Sequence, residues 1–303
     1  MYTSSMRFRA PVPDDAPAVL AVFTARDIAD LGVVEHRLEE LLDEWRGSDL
    51  DLDHNAQVVQ DESGRIVAYA AVRRWPGSLV VVHPESEGRG IGSRLLVWTE
   101  GRERAVGRGL HRQWVAAGNA SARALLTSAS YERARSYWQM TCWLKGAGPE
   151  PRVPSGFRLR TVNVARDAAA MQAIDAASFA TTPDYMPESL AEFIERNLRV
   201  HGFDAGLSRV ATKRDQIVGF LLANRQEKEG VGYISILAVE PGHQRKGLGT
   251  TLLRSALAAF AAAGLGEAQL GVASYNDRAL RVYERVGMTV RHQFDIYERP
   301  IDN

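Results

Sequence analysis

Two fifteen-residue stretches of this chain are copies of one another. VEPGHQRKGLGTTLL, Val239 to Leu253, is matched by VHPESEGRGIGSRLL, Val82 to Leu96. A constant shift of 157 positions (247 − 90) places Pro241 on Pro84, Gly247 on Gly90, Gly249 on Gly92 and Leu252-Leu253 on Leu95-Leu96. Without a gap, the same shift carries Gly264 onto Gly107, Val272-Ala273 onto Val115-Ala116 and Asn276 onto Asn119. Upstream, IVGFLLA from Ile217 matches IVAYAAV from Ile66 at a shift of 151, so the second copy has a longer hairpin over Asn224 to Gly232. Self-similarity over this length means a duplicated domain, and 303 residues suit two domains. LKGAGPEPRVPSG, Leu144 to Gly156, is rich in proline and glycine and reads as the connection. The expected division is residues 1–146, a linker 147–155, and residues 156–303.

Each copy alternates β-like and helical segments. An early strand (near Phe8 and Phe157) precedes two amphipathic helices, then three strands, the glycine loop, a helix, a strand, a helix and a last strand. This order points to an α/β domain whose ligand sits at strand ends. After the loop, Leu252, Leu253, Ala256, Leu257 and Phe260 recur at helical spacing. The first N–H groups of such a helix have no internal partner and lie at the positive end of its dipole. A phosphate accepts from them if side chains stay out of the way, which is what glycine permits. Gln244, Arg245, Lys246, Gly247 and Gly249 supply two cations, an amide and that clearance. A Rossmann fingerprint needs a third glycine and a P-loop needs Gly-Lys-Ser/Thr, and neither is present.

The formal net charge is zero, which gives no basis for a general nucleic-acid coat. Cys142 is the single cysteine, so no intrachain disulfide forms and a reducing compartment fits. MYTSSMRFRAPVPDD lacks the apolar core of a signal peptide. The uncharged stretch Ser255 to Gly266, 12 residues, is too short for a bilayer. The seven histidines show no ligand-pair spacing. The expectations are a cytoplasmic protein, monomer or homodimer, without metal, membrane or nucleic-acid partner.

Gln244-x-x-Gly247-x-Gly249 resembles motif A of the GNAT (GCN5-related) N-acetyltransferases. Asn276-Asp-Arg-Ala279-Leu-Arg-Val-Tyr283-Glu-Arg-Val-Gly287-Met288 resembles the later N-x-x-A-x-x-x-Y-x-x-x-G-F of that family, with Met for Phe. The resemblance implies two tandem α/β domains, each a mixed, mostly antiparallel sheet flanked by helices, and acetyl-CoA as cosubstrate. It implies direct transfer of acetyl to a primary amine of a small molecule. Carried over by position, Leu237, Ala238 and Val239 would line the pantetheine on a strand splayed at a β-bulge. Gln244, Arg245, Lys246, Gly247, Leu248, Gly249 and Thr250 would hold the pyrophosphate, and Asn276 would contact the pantetheine. Tyr283 would protonate the departing thiolate. Asn276 also reads as an ordinary helix N-cap, and Tyr283 as a core aromatic.

The first copy has Glu87 where the second has Gln244, Leu126 for Tyr283 and Ser130 for Gly287. It is expected to have kept the fold and lost the chemistry, left to bind coenzyme A weakly or to serve as a structural partner, with Tyr131 and Tyr137 near enough to replace the phenol. On the acceptor side, alternation places Ser235 and Tyr233 ahead of the bulge, neither of them acidic. They are candidates to hold a water relay. A base could instead come from Asp175, Asp184, Glu188 or Glu192, with Asp184 and Glu188 available to a cationic amine; those two also read as solvated loop and helix-start carboxylates. The layout is similar to that of mycothiol synthase, a family acetylating a cysteinyl pseudodisaccharide, which carries an acid where this chain has Tyr233. A non-catalytic acyl-CoA sensor or scaffold is the reading from another class.

Overall fold

The computed structural model describes residues 6–47, 50–74, 77–144, 151–183, 185–226 and 230–301. The first copy runs β1 (Arg7–Arg9), α1 (Ala16–Leu31), α2 (Leu38–Arg46), α3 (Leu52–Asn55), β2 (Ala56–Gln60), β3 (Ile66–Val72), β4 (Ser78–Val82), α4 (Ile91–Ala105), β5 (Leu110–Ala116), α5 (Ala120–Ser128) and β6 (Glu132–Trp143). The second runs β7 (Arg158–Thr161), α6 (Val164–Phe179), α7 (Leu190–Leu198), β8 (Arg209–Lys213), β9 (Gln216–Gln226), β10 (Val231–Val239), α8 (Leu248–Ala262), β11 (Glu267–Ala273), α9 (Asp277–Glu284) and β12 (Thr289–Pro300).

The chain forms two compact units, and they differ from the division at 146 and 156. One unit is residues 1–137 with 292–303, the other residues 138–291. The hydrogen-bonding edge of β5 is filled by the end of the chain, from Phe294 opposite Ala116 to Pro300 opposite Leu110. An unfilled edge is a liability, and a twelve-residue final strand is long enough to supply it. The first unit's strands are ordered β1-β2-β3-β4-β5-β12, and the second's β6-β11-β10-β9-β8-β7. β4 with β5 and β10 with β11 pair in parallel, whereas β1–β2, β2–β3, β3–β4, β5–β12, β7–β8, β8–β9 and β9–β10 are antiparallel. Residues 145–150 of the connection, and residues 227–229 of the longer hairpin, lie outside the described residues.

Local signals set the helix starts. Asn119, Asn163 and Asn276 each accept from a backbone N–H three residues on, and Ser189 with Glu192 closes a capping box on α7. A duplicated ion clamp ties each early strand to its first helix. Arg9 binds Asp15 through two hydrogen bonds of 2.6 and 2.8 Å, and Arg160 binds Asp167 at 2.6 and 2.9 Å. Burial alone would raise Asp167, yet the bonds from Arg160, the Asn163 N–H and Arg166 bring it down to about 2.

In the second unit α8 covers one sheet face with Leu248, Leu252, Leu253, Ala256 and Phe260, all buried. The other face is covered by α6 and α7, through Met171, Ile174, Phe193 and Leu198 on Phe220, Leu222 and Ala238. Phe260 lies so close over β10 that a Cβ at Gly232 would stand 2.2 Å from its ring. Gly232→Ala is therefore expected to destabilise the protein by about 2 kcal/mol through overpacking. Gly101→Ala, on an exposed turn of α4 with open space around it, should gain a few tenths to about 1 kcal/mol. Urea denaturation of the two variants checks the opposite signs.

Candidate active site

The centre of the second unit is a strand that leaves its neighbour. β11 accompanies β10 from Val231 opposite Glu267 to Ile234 opposite Leu270. Against β9, β10 continues to Val239, with a register shift between Ile234 and Ile236. Ser235 is the extra residue of this bulge and is exposed. The bulge also resets which face each side chain meets. Ile234 packs with α8, but Ile236 and Ala238 pack with α6 and α7, which returns Leu237 and Val239 to the α8 side. The Glu240 N–H donates to the Val218 carbonyl at 2.9 Å while Val239 stands opposite Gly219. That makes Val239 and Gly219 a non-hydrogen-bonded pair. The peptide groups of Val239, and by alternation of Leu237, thus face the gap that β11 has vacated.

The loop after β10 turns through two left-handed residues into the start of α8. Arg245 and Gly247 both adopt left-handed backbone, with φ of 60° and 80°. For arginine this conformation costs on the order of 1 kcal/mol, and such strain is typical of ligand clamps. Gly247 is the N-cap of α8, and the Thr251 N–H makes the first bond of the helix, to the Gly247 carbonyl at 3.0 Å. The amides of Leu248, Gly249 and Thr250 precede that bond and point out of the helix end. A Cβ at Gly249 would meet nothing within 4 Å, so its bareness serves no contact inside the protein. Arg245 and Lys246 are exposed beside it, the Lys246 ammonium donating to the Gly242 carbonyl at 2.9 Å. Leu248 sends its side chain into the α8 core and offers the loop only its backbone. Gln244 turns back: its Nε2 donates to the Val239 carbonyl at 2.8 Å and its Oε1 accepts from Arg278. Its side chain therefore closes the loop onto β10 and α9. Ser178, from the end of α6, donates to the same Val239 carbonyl at 3.2 Å.

Tyr283 and Asn276 come from α9. The Asn276 side chain caps the helix by accepting from Ala279 N–H at 3.1 Å. Tyr283 is 7% exposed within the α8–α9 core. Its phenol is pushed up to about 12, by burial first and then by the neighbouring Tyr233. The two phenols thus lie near one another, and the Tyr233 hydroxyl stands 3.5 Å from where a Cβ on Gly271 would be, just past the last β10–β11 pair. Ser235 donates to the Leu222 carbonyl at 3.4 Å.

Of the acceptor-side carboxylates, Asp184 lies outside the described residues. Glu188 is largely buried and pairs with Arg196 at 3.2 Å, and its carbonyl accepts from Gln172 at 2.9 Å. Glu192 is occupied in the capping box. Asp175 sits on the inner side of α6, where burial first and then Glu188 push it up to about 7, against the pull of Arg196.

The first unit's loop has the same backbone and a different filling. Gly88 and Gly90 repeat the two left-handed positions, with φ of 70° and 76°. A Cβ at Gly92 would meet the Leu125 side chain at 3.1 Å, where Gly249 has open space. Glu87 pairs with Arg26 at 2.7 Å and accepts from Ser121 at 2.8 Å, and Arg26 also reaches Asp30 at 3.3 Å. Asn119 donates to Asp30 at 2.9 Å. β4 meets β3 in unbroken register from Ser78 to Val82, without the bulge of β10. Leu126 is 3% exposed in the core that holds Tyr131, whose hydroxyl meets His111 in the interior. Sequence reasoning missed Arg26, Ser121, Leu125, Ser178 and Arg278, because each comes from an element distant from the loop it completes.

The model of the acetyltransferase (GNAT) family matches residues 22–130 and again 170–288. A mycothiol acetyltransferase of Thermobispora bispora is 33% identical over 221 residues, covering 71% of this chain and 72% of that protein. One from Streptomyces coelicolor is 30% identical over 299 residues, covering 95% and 92%. Among solved structures, a GCN5-related N-acetyltransferase from Sphaerobacter thermophilus superposes with a TM-score of 0.81 at 28% identity, covering 98% and 96%. A tandem GNAT protein from the clavulanic acid biosynthesis pathway superposes with a TM-score of 0.76 at 15% identity over 99% of each chain, a likeness of fold.

The carboxylates around the first loop depend on one cation. Arg26→Ala leaves Glu87 and Asp30 facing each other without it and is expected to cost about 1–3 kcal/mol. Adding Glu87→Gln should return part of that loss. A urea double-mutant cycle reads the coupling, and a double variant no more stable than Arg26→Ala contradicts it.

Proposed function

The chain belongs to the acetyltransferase (GNAT) family and is an acetyl-CoA-dependent N-acetyltransferase; from that premise we propose that only its second unit binds the cosubstrate and transfers acetyl. The observation that carries this reading is the α8 N-terminus. It has open space over Gly249, and the peptide groups of Leu237 and Val239 face the adjoining gap. The pyrophosphate is assigned to the amides of Leu248, Gly249 and Thr250, with Arg245 and Lys246 as flanking cations. The pantetheine is assigned to the gap beside Leu237, Ala238 and Val239, adding the edge contacts that β11 gives up. Gln244 shapes that cradle through the Val239 carbonyl, and Asn276 sets the start of α9 and so the place of Tyr283.

When bound, the thioester supplies an activated acetyl carbon. Tyr283 is the proton donor to the departing sulfur. A phenol held near 12 is a weak acid. It gives up its proton only in step with return of an N–H proton from the acetylated nitrogen to the same oxygen. Tyr233 and Ser235 border the acceptor side of the bulge, where Tyr233 lies near Tyr283 and Ser235 can hold a water.

The first unit is assigned a structural role. Glu87 places a carboxylate where the anion would sit, Leu125 fills the space over Gly92, and Leu126 has no proton to give. The similarity to mycothiol acetyltransferases supports an acceptor of the same kind, a cysteinyl amine.

Two experiments test the assignment. Isothermal titration is expected to give one acetyl-CoA per chain, lost in Gly249→Trp and kept in Gly92→Trp. Two equivalents, or binding that survives Gly249→Trp, would sink it. Tyr283→Phe should lower kcat by ~10²-fold while acetyl-CoA affinity stays within about twofold, as read by steady-state kinetics and titration.

A further inference from the structure

An acceptor amine arrives at neutral pH mostly as ammonium, and it attacks a thioester only after losing a proton. The acceptor side of β10 offers Tyr233 and Ser235 for that task and no carboxylate. Resting on the acetyl-transfer reading above, we propose that Asp175 is the base that receives this proton, and that it selects acceptors presented as cationic primary amines.

The placement follows from helix geometry. Met171, Asp175 and Ser178 are spaced i, i+4, i+7 and share one stripe of α6. Met171 is fully buried against β9 and β10, and Ser178 touches the Val239 carbonyl. The stripe therefore faces the strand assigned to the pantetheine and thioester, with Asp175 about one turn, roughly 5 Å, before Ser178. Among the described residues no hydrogen bond reaches the Asp175 carboxylate. An inward carboxylate without a donor costs stability, so packing gives no reason for it.

The groups facing it favour proton uptake. Glu188 repels its charge, and Arg196 of α7 attracts it while also pairing with Glu188. Tyr185, from the loop before α7, is itself raised by burial, then by Asp175 and Glu188. From β9, Arg225 is engaged by Asp204 at 3.0 Å, and β10 brings Tyr233 as its one titratable side chain. Asp175 near 7 is poised to exchange a proton around neutral pH.

The protons balance. The ammonium gives one proton to Asp175, and the freed nitrogen bonds to the acetyl carbon. The C–S bond breaks, the sulfur takes the Tyr283 proton, and the second nitrogen proton restores the phenol. Asp175 then releases its proton to water, so each turnover yields amide, coenzyme A thiol and one proton.

The test compares wild type, Asp175→Asn and Tyr283→Phe with acetyl-CoA and L-cysteinamide, a minimal cysteinyl amine. For wild type, kcat/KM should fall on the acid side with an apparent pKa near 7, beyond the limb due to the amine itself. Asp175→Asn should lose ~10²-fold in kcat/KM and lose that limb, with acetyl-CoA affinity unchanged within about twofold. Activity within threefold of wild type with the same limb overturns the proposal.

Melting curves supply an arm that needs no acceptor. The folded pKa of Asp175 is raised above the unfolded carboxylate range. Its protonation therefore favours the fold at low pH, and that advantage is lost as pH rises through about 7. Asp175→Asn should gain in Tm over wild type between pH 5 and pH 8, and an equal offset at both pH values also overturns the proposal. If wild type acetylates neither L-cysteinamide, glycinamide nor glucosamine, the acetyl-transfer reading fails, while the melting arm still decides on Asp175.

Discussion

The second unit is organised around the parting of β10 from β11 after Ile234. A sheet normally satisfies both edges of a central strand. Here the bulge at Ser235 ends the β10–β11 pairing and leaves the peptide groups of Leu237 and Val239 facing the gap. The bulge has a second effect, which is to reverse the side-chain alternation. Ile236 and Ala238 now join the α6–α7 core while Leu237 and Val239 join the α8 core. One extra residue thus opens the gap and seals both faces around it. Gln244, Arg278 and Ser178 converge on the same place, holding the Val239 carbonyl and the loop that follows.

The two copies show what the same backbone does without that device. Both loops have left-handed positions two residues apart, and both start a fifteen-residue helix at a glycine N-cap. Where the first copy uses Gly88 the second uses Arg245, accepting strain to place a cation at the mouth of the loop. Where the second leaves space over Gly249, the first has Leu125. The Glu87–Arg26–Asp30–Asn119 network satisfies the first loop from within.

On the opposite side of β10 the polar groups differ in what restrains them. Glu188 is held by Arg196 and Glu192 by the α7 cap, whereas Asp175 faces inward with burial as its main influence. The Tyr233 hydroxyl stands where β11 departs, and its neighbourhood adds to the burial that raises the Tyr283 phenol.

Much of this was legible in the sequence. The duplication, the α/β order, the glycine loop at a strand-to-helix junction and the Asn276-to-Tyr283 helix are local patterns, and local patterns are written in consecutive residues. The leucine at 126 in the place of Tyr283 and the negative charge of Glu87 in the place of the neutral Gln244 were readable for the same reason. What depended on distant segments was not. The filling of the β5 edge by residues 294–300 rather than by a strand of its own half is a choice between partners of similar composition. The turning back of Gln244, the capture of Glu87 by Arg26 and the separation of Asp175 from Glu188 and Glu192 each depend on a side chain far along the chain. The sequence by itself determined two related α/β domains, and that one glycine loop carries Arg245 and Lys246 where the other carries Glu87 two residues before its first-copy cation Arg89. Only the tertiary structure decided where the chain's ends pair and which carboxylate faces inward, because burial and pairing are properties of neighbours in space.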